Sequence, residues 1–172
     1  MTGLILDIGD SSTTVTPIFD GCEITHATKR SPVGGQALLE LLISNLEANG
    51  VVSLRTSYER EFVGRDILRQ KSDDNIYTLP DGGKITVSSE QEESIDEAFF
   101  SPPQASERPD LFQLIENCVA DCEVDLRETL KKNLILAGGV TLLPNFEDLL
   151  RAKLTGTRYK IRAKPDRMFA SW

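Results

Sequence analysis

Near its start the chain reads Leu4-Ile-Leu-Asp-Ile-Gly-Asp-Ser-Ser-Thr-Thr-Val15, an apolar run that ends in an Asp/Gly turn and continues into a second strand. Near its end it reads Leu134-Ile-Leu-Ala-Gly-Gly-Val-Thr-Leu-Leu-Pro144, an apolar run that stops at two glycines before a predicted helix. At such turns a backbone without Cβ comes close to phosphate or sugar, and its N–H groups can point at the ligand. Either turn alone is typical of a simple hairpin, so the order of both turns along the chain has to decide the fold.

The composition is that of a folded domain. The 172 residues are about one domain in length, and with 40% hydrophobic and 27% charged residues they can form a core. The net charge of −8 disfavours direct binding to nucleic acid or to an anionic membrane. No apolar run reaches the roughly 18 residues of a membrane span and no signal segment opens the chain, so we expect a cytoplasmic or nuclear protein. The spacing of Cys22, Cys118 and Cys122 favours buried free thiols over a zinc site.

Hydrophobic periodicity predicts an α/β fold with a mixed central sheet and flanking helices. Three consecutive strands are expected at residues 3–9, 13–20 and 22–29. The first run lacks alternation, so we expect a central strand covered on both faces, next or nearly next to a buried strand at 133–137. The remaining patterns predict helices at 33–48, 57–71, 111–118, 125–131 and 144–154, a hairpin around 81–83 and a last strand at 159–163.

Seven segments, taken in order, resemble the second half of the actin family. They lie at residues 4–9, 15–20, 31–35, 77–83, 97–102, 122–127 and 136–144. The resemblance covers nearly the whole chain and implies one half of the ribonuclease-H-like, actin-like ATPase fold, with residues 1–172 forming one actin-like domain. It also implies that residues 51–76 are a reduced stub of the family's small helical lobe, because only 72–76 separate the helix from the next hairpin.

The same resemblance implies a nucleotide site at the two glycine turns. The positions that it assigns to this site are Asp7, Gly9, Asp10, Ser11, Gly138, Gly139 and Leu142. By resemblance, Asp7 orients water around Mg²⁺, which carboxylates hold through its hydration shell. Gly9 and Asp10 would contact phosphate, and Gly138 would lie beside the adenosine.

Several positions depart from the family pattern. Ser11 stands where the family has glycine, and Thr14 stands where it has the histidine that helps to place the attacking water. Leu68 and Arg69 replace a lysine and a glutamate near the adenine, and the lone His26 is expected to be structural. We therefore predict a vestigial site that is not enzymatic, with no catalytic or metal-binding residue and no cofactor, unless another chain completes the cleft for ATP or ADP with Mg²⁺.

A kept fold with altered catalytic positions predicts a non-catalytic structural subunit. Residues 8–20, 32–38 and 124–135 resemble the actin-related subunit at the pointed end of dynactin's short filament. That resemblance implies protein partners in a multi-subunit complex for dynein-based transport, and a cytoplasmic, cytoskeleton-associated location. Residues 29–33 and 167–172 resemble instead the nuclear actin-related subunits of chromatin remodellers. A third alternative is an ATP-binding protein whose cleft a separate polypeptide completes.

Overall fold

A computed structural model of the chain describes residues 2–50, 56–69, 76–78, 82, 84–87, 100, 110–143 and 145–167. The chain forms two compact units, one from Met1–Gly35 with Gln104–Trp172 and one from Gln36–Pro103. The described elements are, in chain order, β1 (Gly3–Ile8), β2 (Thr13–Phe19), β3 (Cys22–Glu23), β4 (Lys29–Ser31), α1 (Gly35–Ala48), α2 (Ser57–Arg69), β5 (Ile76–Thr78), β6 (Lys84–Thr86), α3 (Leu111–Ala120), α4 (Val124–Lys131), β7 (Leu134–Ala137), α5 (Phe146–Lys153) and β8 (Ile161–Arg162).

The first unit is built on a mixed sheet with β1 near its centre. The strand order is β3-β2-β1-β7-β8, and β4 also pairs with β2. β1 runs antiparallel to β2 and parallel to β7, with Leu4 opposite Leu134 and Leu6 opposite Leu136. The prediction that the two apolar runs are adjacent inner strands is therefore confirmed.

The two faces of β1 are not equally covered. Leu4, Leu6 and Ile8 are fully buried, whereas Ile5 and Asp7 are half-buried. Helix α3 packs against β2 and β4, and α4 packs against β1. The expectation that both faces of β1 are covered was therefore wrong. The apolar residues are consecutive in the sequence, but the burial of the side chains alternates along the strand.

The third predicted strand, residues 22–29, is interrupted. β3 pairs with the far end of β2, a 3-10 turn follows at Thr25–Ala27, and β4 then pairs with the start of β2. From the Ile18–Glu23 pair to the Thr13–Ser31 pair, β2 covers five positions and the returning chain covers eight. Three residues are therefore looped out, and this insertion buries Ala27 against Cys122 and Leu130.

In the second unit, α1 and α2 pack closely at a glycine. A Cβ on Gly64 would lie 3.1 Å from Leu39 Cγ and 3.2 Å from Ile43 Cδ1. The helical spacing of apolar residues predicts a buried stripe of Ala37, Leu38, Leu41, Leu42 and Leu46 on α1. Leu38, Leu42 and Leu46 are buried as predicted, whereas Leu39 and Ile43 are buried in place of Ala37 and Leu41. The hairpin of β5 and β6 is confirmed. Residues 51–55 and 70–75 lie outside the described residues, so the reduced lobe at 51–76 stays a prediction.

The last elements are shorter than predicted. α5 begins at Phe146, after Asn145 in the left-handed conformation (φ 62°), and Pro144 lies outside the described residues. A left-handed residue cannot continue a helix, which places the start two residues later than expected. β8 covers only Ile161–Arg162 of the predicted 159–163, because only these two residues pair with β7.

Two of the three cysteines are buried against the sheet. The Cys118 thiol donates to the Val15 carbonyl at 3.6 Å, and the Cys122 thiol donates to the Cys118 carbonyl at 3.3 Å. Burial raises the pKa of Cys118 from about 9 to about 12 and also raises the pKa of Cys122. Cys22 is exposed, so the expectation of buried thiols was wrong for this residue.

We expect a thiol-reactive dye to modify Cys22 quickly in the native protein and the other two cysteines only after unfolding. The raised pKa of Cys118 adds a pH dependence: its contribution to stability is intact below about pH 9 and falls as the pH rises towards 12. Ellman titration with and without urea measures the first effect, and Cys22→Ser should remove the fast phase. Native reaction of all three thiols at one rate would contradict this prediction.

Candidate functional site

A tight turn joins β1 to β2 at the candidate site. The Gly9 N–H donates to the Ser12 carbonyl at 3.0 Å, which closes the turn and leaves Asp10 and Ser11 exposed. The Thr13 hydroxyl donates to the Val33 carbonyl at 2.7 Å and fixes the outgoing strand. Gly9, Asp10 and Ser11 therefore lie together on one rigidly supported loop, as the sequence predicted.

Two further glycines press against this turn. A Cβ on Gly34 would lie 2.6 Å from the Asp10 carbonyl oxygen and 2.7 Å from the Gly9 carbonyl oxygen. The Gly35 N–H, at the first residue of α1, donates to the Gly9 carbonyl at 3.0 Å. The sequence analysis placed Gly34 and Gly35 only at the start of the helix predicted at 33–48. Their contact with the turn was missed, although two adjacent glycines before a helix are a signal of close backbone approach.

The second glycine turn meets the first across the adjacent strands β1 and β7. Gly138 has φ +88°, and a Cβ there would lie 2.3 Å from the Ile8 carbonyl oxygen and 2.5 Å from Asp7 Oδ1. A 3-10 turn begins at Gly139 and ends at Leu142, which is 39% exposed. The structure thus brings all seven predicted positions to one end of the sheet, with Asp7 near the end of β1 and the other six on the two turns that follow β1 and β7.

Arg167 holds the second turn in place and was missed by the sequence analysis. Its guanidinium donates to the Thr141 hydroxyl at 3.1 Å, to the Thr141 carbonyl at 2.6 Å and to the Lys164 carbonyl at 3.0 Å. Its own carbonyl accepts from the Gly138 N–H at 3.1 Å. Most of these partners are backbone atoms, so no residue pattern in the sequence could have indicated them.

Thr14 lies in a row with one carboxylate and one guanidinium. It pairs with Asp7 on one side and with Arg30 on the other, and residues paired across strands share a face of the sheet. The Arg30 guanidinium also donates to the Ser12 hydroxyl at 3.3 Å, a contact that the sequence analysis missed. His26, the only histidine of the chain, is exposed in the turn between β3 and β4 and is not part of this row.

This arrangement has the groups to hold an anion and a hydrated cation. Arg30 can face negative charge beside the loop, and the carboxylates Asp7 and Asp10 are of the type that hold Mg²⁺ through water. The Thr14 hydroxyl cannot act as a general base near neutral pH. Among the described residues, no group of three or more histidine, cysteine or acidic side chains could hold a metal ion directly. Within the same residues, no helix is long and apolar enough to cross a membrane.

Comparison with known families agrees with this architecture. The sequence model described as Actin matches the chain over residues 1–61 and 55–172, so the two matches together span all of it. They overlap at residues 55–61, of which 57–61 belong to α2. The mixed sheet with flanking helices is the α/β architecture expected of one half of the actin-like ATPase fold, and that prediction is confirmed. The chain belongs to the actin family.

Proposed function

We propose that this chain is a non-catalytic, structural member of the actin family that is held in a multi-subunit assembly. The observation that carries the proposal is the position of Thr14, directly opposite Asp7 on the neighbouring strand. By resemblance, a histidine at this place helps to position the attacking water. Threonine has no basic group near neutral pKa, so the reaction loses that assistance while the fold around it is kept.

Changes on the adenine side point the same way. In the sequence, Leu68 and Arg69 stand where the family has a lysine and a glutamate near the base, and both fall on α2. Leu68 can offer apolar contact but no hydrogen bond, and Arg69 reverses the charge of the family residue. Substitutions at positions that the resemblance assigns to water positioning and to base binding support a role through protein contacts.

The dynactin pointed-end complex is the assembly that we favour. Its support is the sequence resemblance of residues 8–20, 32–38 and 124–135, and with it we propose a cytoplasmic location and a role in dynein-based transport. The test is affinity purification of the tagged full chain from its native cells, followed by native mass spectrometry. We expect dynactin components to co-purify. Recovery of a chromatin-remodelling ATPase instead would support the nuclear alternative and contradict our assignment.

A second candidate, ATP binding completed by another chain, is favoured by the packing of the turns. A Cβ on Gly34 or on Gly138 would lie less than 3 Å from neighbouring backbone atoms. Glycine at both positions therefore keeps the close approach of the backbone at the two turns. Asp7 and Asp10 are carboxylates of the type that hold Mg²⁺ through its hydration shell. In this case the chain would act as a nucleotide-dependent switch rather than as a passive subunit.

Calorimetry with Mg-ATP separates the two candidates. The chain is purified gently together with its native partners, so that a cleft completed by another chain is kept. We expect no micromolar binding to this complex and far less than one nucleotide per chain in it, because the groups for the base and the water have changed. If binding is seen, Asp10→Ala should abolish it, while Asp148→Ala, which removes an exposed carboxylate on α5, should not. Stoichiometric nucleotide that is lost in the Asp10 variant alone would overturn the structural proposal.

A further inference from the structure

The segment around the last strand, β8, carries a row of cations on an otherwise acidic protein. The segment 151–167 contains one acidic residue, Asp166, and seven basic ones, Arg151, Lys153, Arg158, Lys160, Arg162, Lys164 and Arg167. Positions 158, 160, 162 and 164 are exposed, and the intervening positions 159, 161 and 163 are half-buried. This alternation is that of an extended strand, which spaces the cations about 7 Å apart along one side.

Within the described residues, two of these seven cations form an ion pair: Arg151 pairs with Glu147 at 2.6 Å, and Arg158 is the other. Arg158 pairs with Glu128 at 2.9 Å. For Lys160, Arg162 and Lys164, by contrast, no ion pair is found within the part of the chain that the structure describes. We call these three residues the cationic row. Three unpaired cations on a chain of net charge −8 form a local field opposite in sign to the rest of the molecule.

The backbone beside the cationic row is an open sheet edge. The Lys160 carbonyl accepts from the Leu134 N–H at 3.0 Å and so faces β7. Successive residues of a strand point their backbone groups to opposite sides, so the N–H and carbonyl of Ile161 face away from β7. β8 ends the strand order, and among the described residues no strand pairs with this outer side.

An apolar strip runs next to the row on the same face. Arg162 pairs with Ile135, and Ile135 pairs in turn with Ile5. Because paired residues share a face, the Arg162 side chain stands beside two isoleucines that are only half-buried. A polypeptide bound along the outer edge of β8 would therefore lie beside a cation at every second residue. Its side chains on the same face would also lie near the apolar strip of Ile135 and Ile5.

We propose that the outer edge of β8 binds an extended acidic segment of a partner protein, which adds a strand to the sheet and pairs its carboxylates with the cationic row. Lysine and arginine on an edge repel a second copy of the same edge, so the charges select an acidic strand over self-association. Nucleic acid fits less well: without these three cations the rest of the chain carries −11, which repels a long polyanion but hardly affects a short peptide.

The test uses the full 172-residue chain and a short fluorescein-labelled peptide of alternating glutamate and valine, measured by fluorescence anisotropy. We expect binding that weakens about tenfold in the double variant Lys160→Glu/Arg162→Glu. The control is Lys84→Glu/Lys153→Glu, which makes the same charge change at two exposed lysines elsewhere and should leave the affinity within about twofold. A second peptide has prolines in place of its central valines. It keeps every carboxylate but lacks the backbone N–H groups of the replaced valines, so it should bind several-fold more weakly.

Four outcomes would overturn the proposal: no binding to the native chain, equal loss in both double variants, equal binding of the proline peptide, or tighter binding of a single-stranded DNA of the same charge. If the Glu variant fails to fold by circular dichroism, Lys160→Gln/Arg162→Gln replaces it, since it neutralises the row without reversing it. The proposal rests on the proposed role only in expecting a protein partner. Peptide binding is measured independently of Mg-ATP calorimetry and of co-purification. The proposed peptide site and the proposed function can therefore fail separately.

Discussion

Replacing Gly138 with alanine is expected to lower the free energy of unfolding by about 2–6 kcal/mol. The residue has φ +88° and ψ 154°, a region that side chains with a Cβ rarely enter, at a cost of about 1–3 kcal/mol. The new methyl group would also lie 2.3 Å from the Ile8 carbonyl oxygen, so β1 and β7 would have to separate, which adds about 1–3 kcal/mol of strain. Urea unfolding followed by circular dichroism measures the change.

Gly156→Ala is the matched control for this substitution. Gly156 has φ +84°, almost the same as Gly138, but nothing lies within 4 Å of its Cβ position. Its substitution should cost only about 1–2 kcal/mol of backbone strain. Equal losses in the two variants would mean that the close approach of Asp7 and Ile8 to Gly138 contributes nothing, and the packing of the two turns would have to be reconsidered.

Leu136→Ala is expected to lower the free energy of unfolding by a similar amount, about 3–5 kcal/mol. Leu136 is 1% exposed and lies opposite Leu6 on the covered face of the sheet. Removing its isobutyl group loses the transfer free energy and leaves a cavity that a central strand cannot collapse to fill. The midpoint of urea unfolding should fall while the slope stays the same.

The neighbouring substitution Ile135→Ala tests the assignment of the two faces. Ile135 points to the less covered face and is half-buried, so we expect a loss of about 1–2 kcal/mol. If Ile135→Ala destabilised the chain more than Leu136→Ala, the alternation of burial along β7 would be reversed. That result would also remove the apolar strip from the surface proposed beside β8.

The sequence was a good guide wherever the pattern is local. The two apolar runs predicted β1 and β7, and the Asp81-Gly82 signal predicted the hairpin of β5 and β6, because strand and turn preferences are set by neighbouring residues. It failed at the third strand, where three residues loop out between β3 and β4. No propensity distinguishes that insertion from a continuous strand, since the insertion is stabilised by the packing of Ala27 against Cys122 and Leu130, which are distant in sequence.

At the candidate site, too, local patterns predicted the residues of the turns but not the contacts made by residues distant in sequence. Asp7, Gly9, Gly138 and their neighbours were found because the turns carry glycines and carboxylates in a familiar order. The supporting contacts of Arg30 and Arg167 were not found, because they arise from strand register and from backbone carbonyls distant in sequence. The position of Arg30 follows only from the register Asp7–Thr14–Arg30, and that of Arg167 follows only from its contacts with Thr141 and Gly138.

The parallel pairing of β1 with β7 also determines when the first unit can fold. Leu4 meets Leu134 across the sheet, so the central pair joins segments about 130 residues apart, and much of the loop between them is the second unit. Contacts of such high sequence separation form late, because the entropy of closing the loop has to be overcome before they contribute. During synthesis the edge of β1 that pairs with β7 stays open until β7 has left the ribosome. The second unit is one continuous segment between β1 and β7, so it can fold before the first unit is complete.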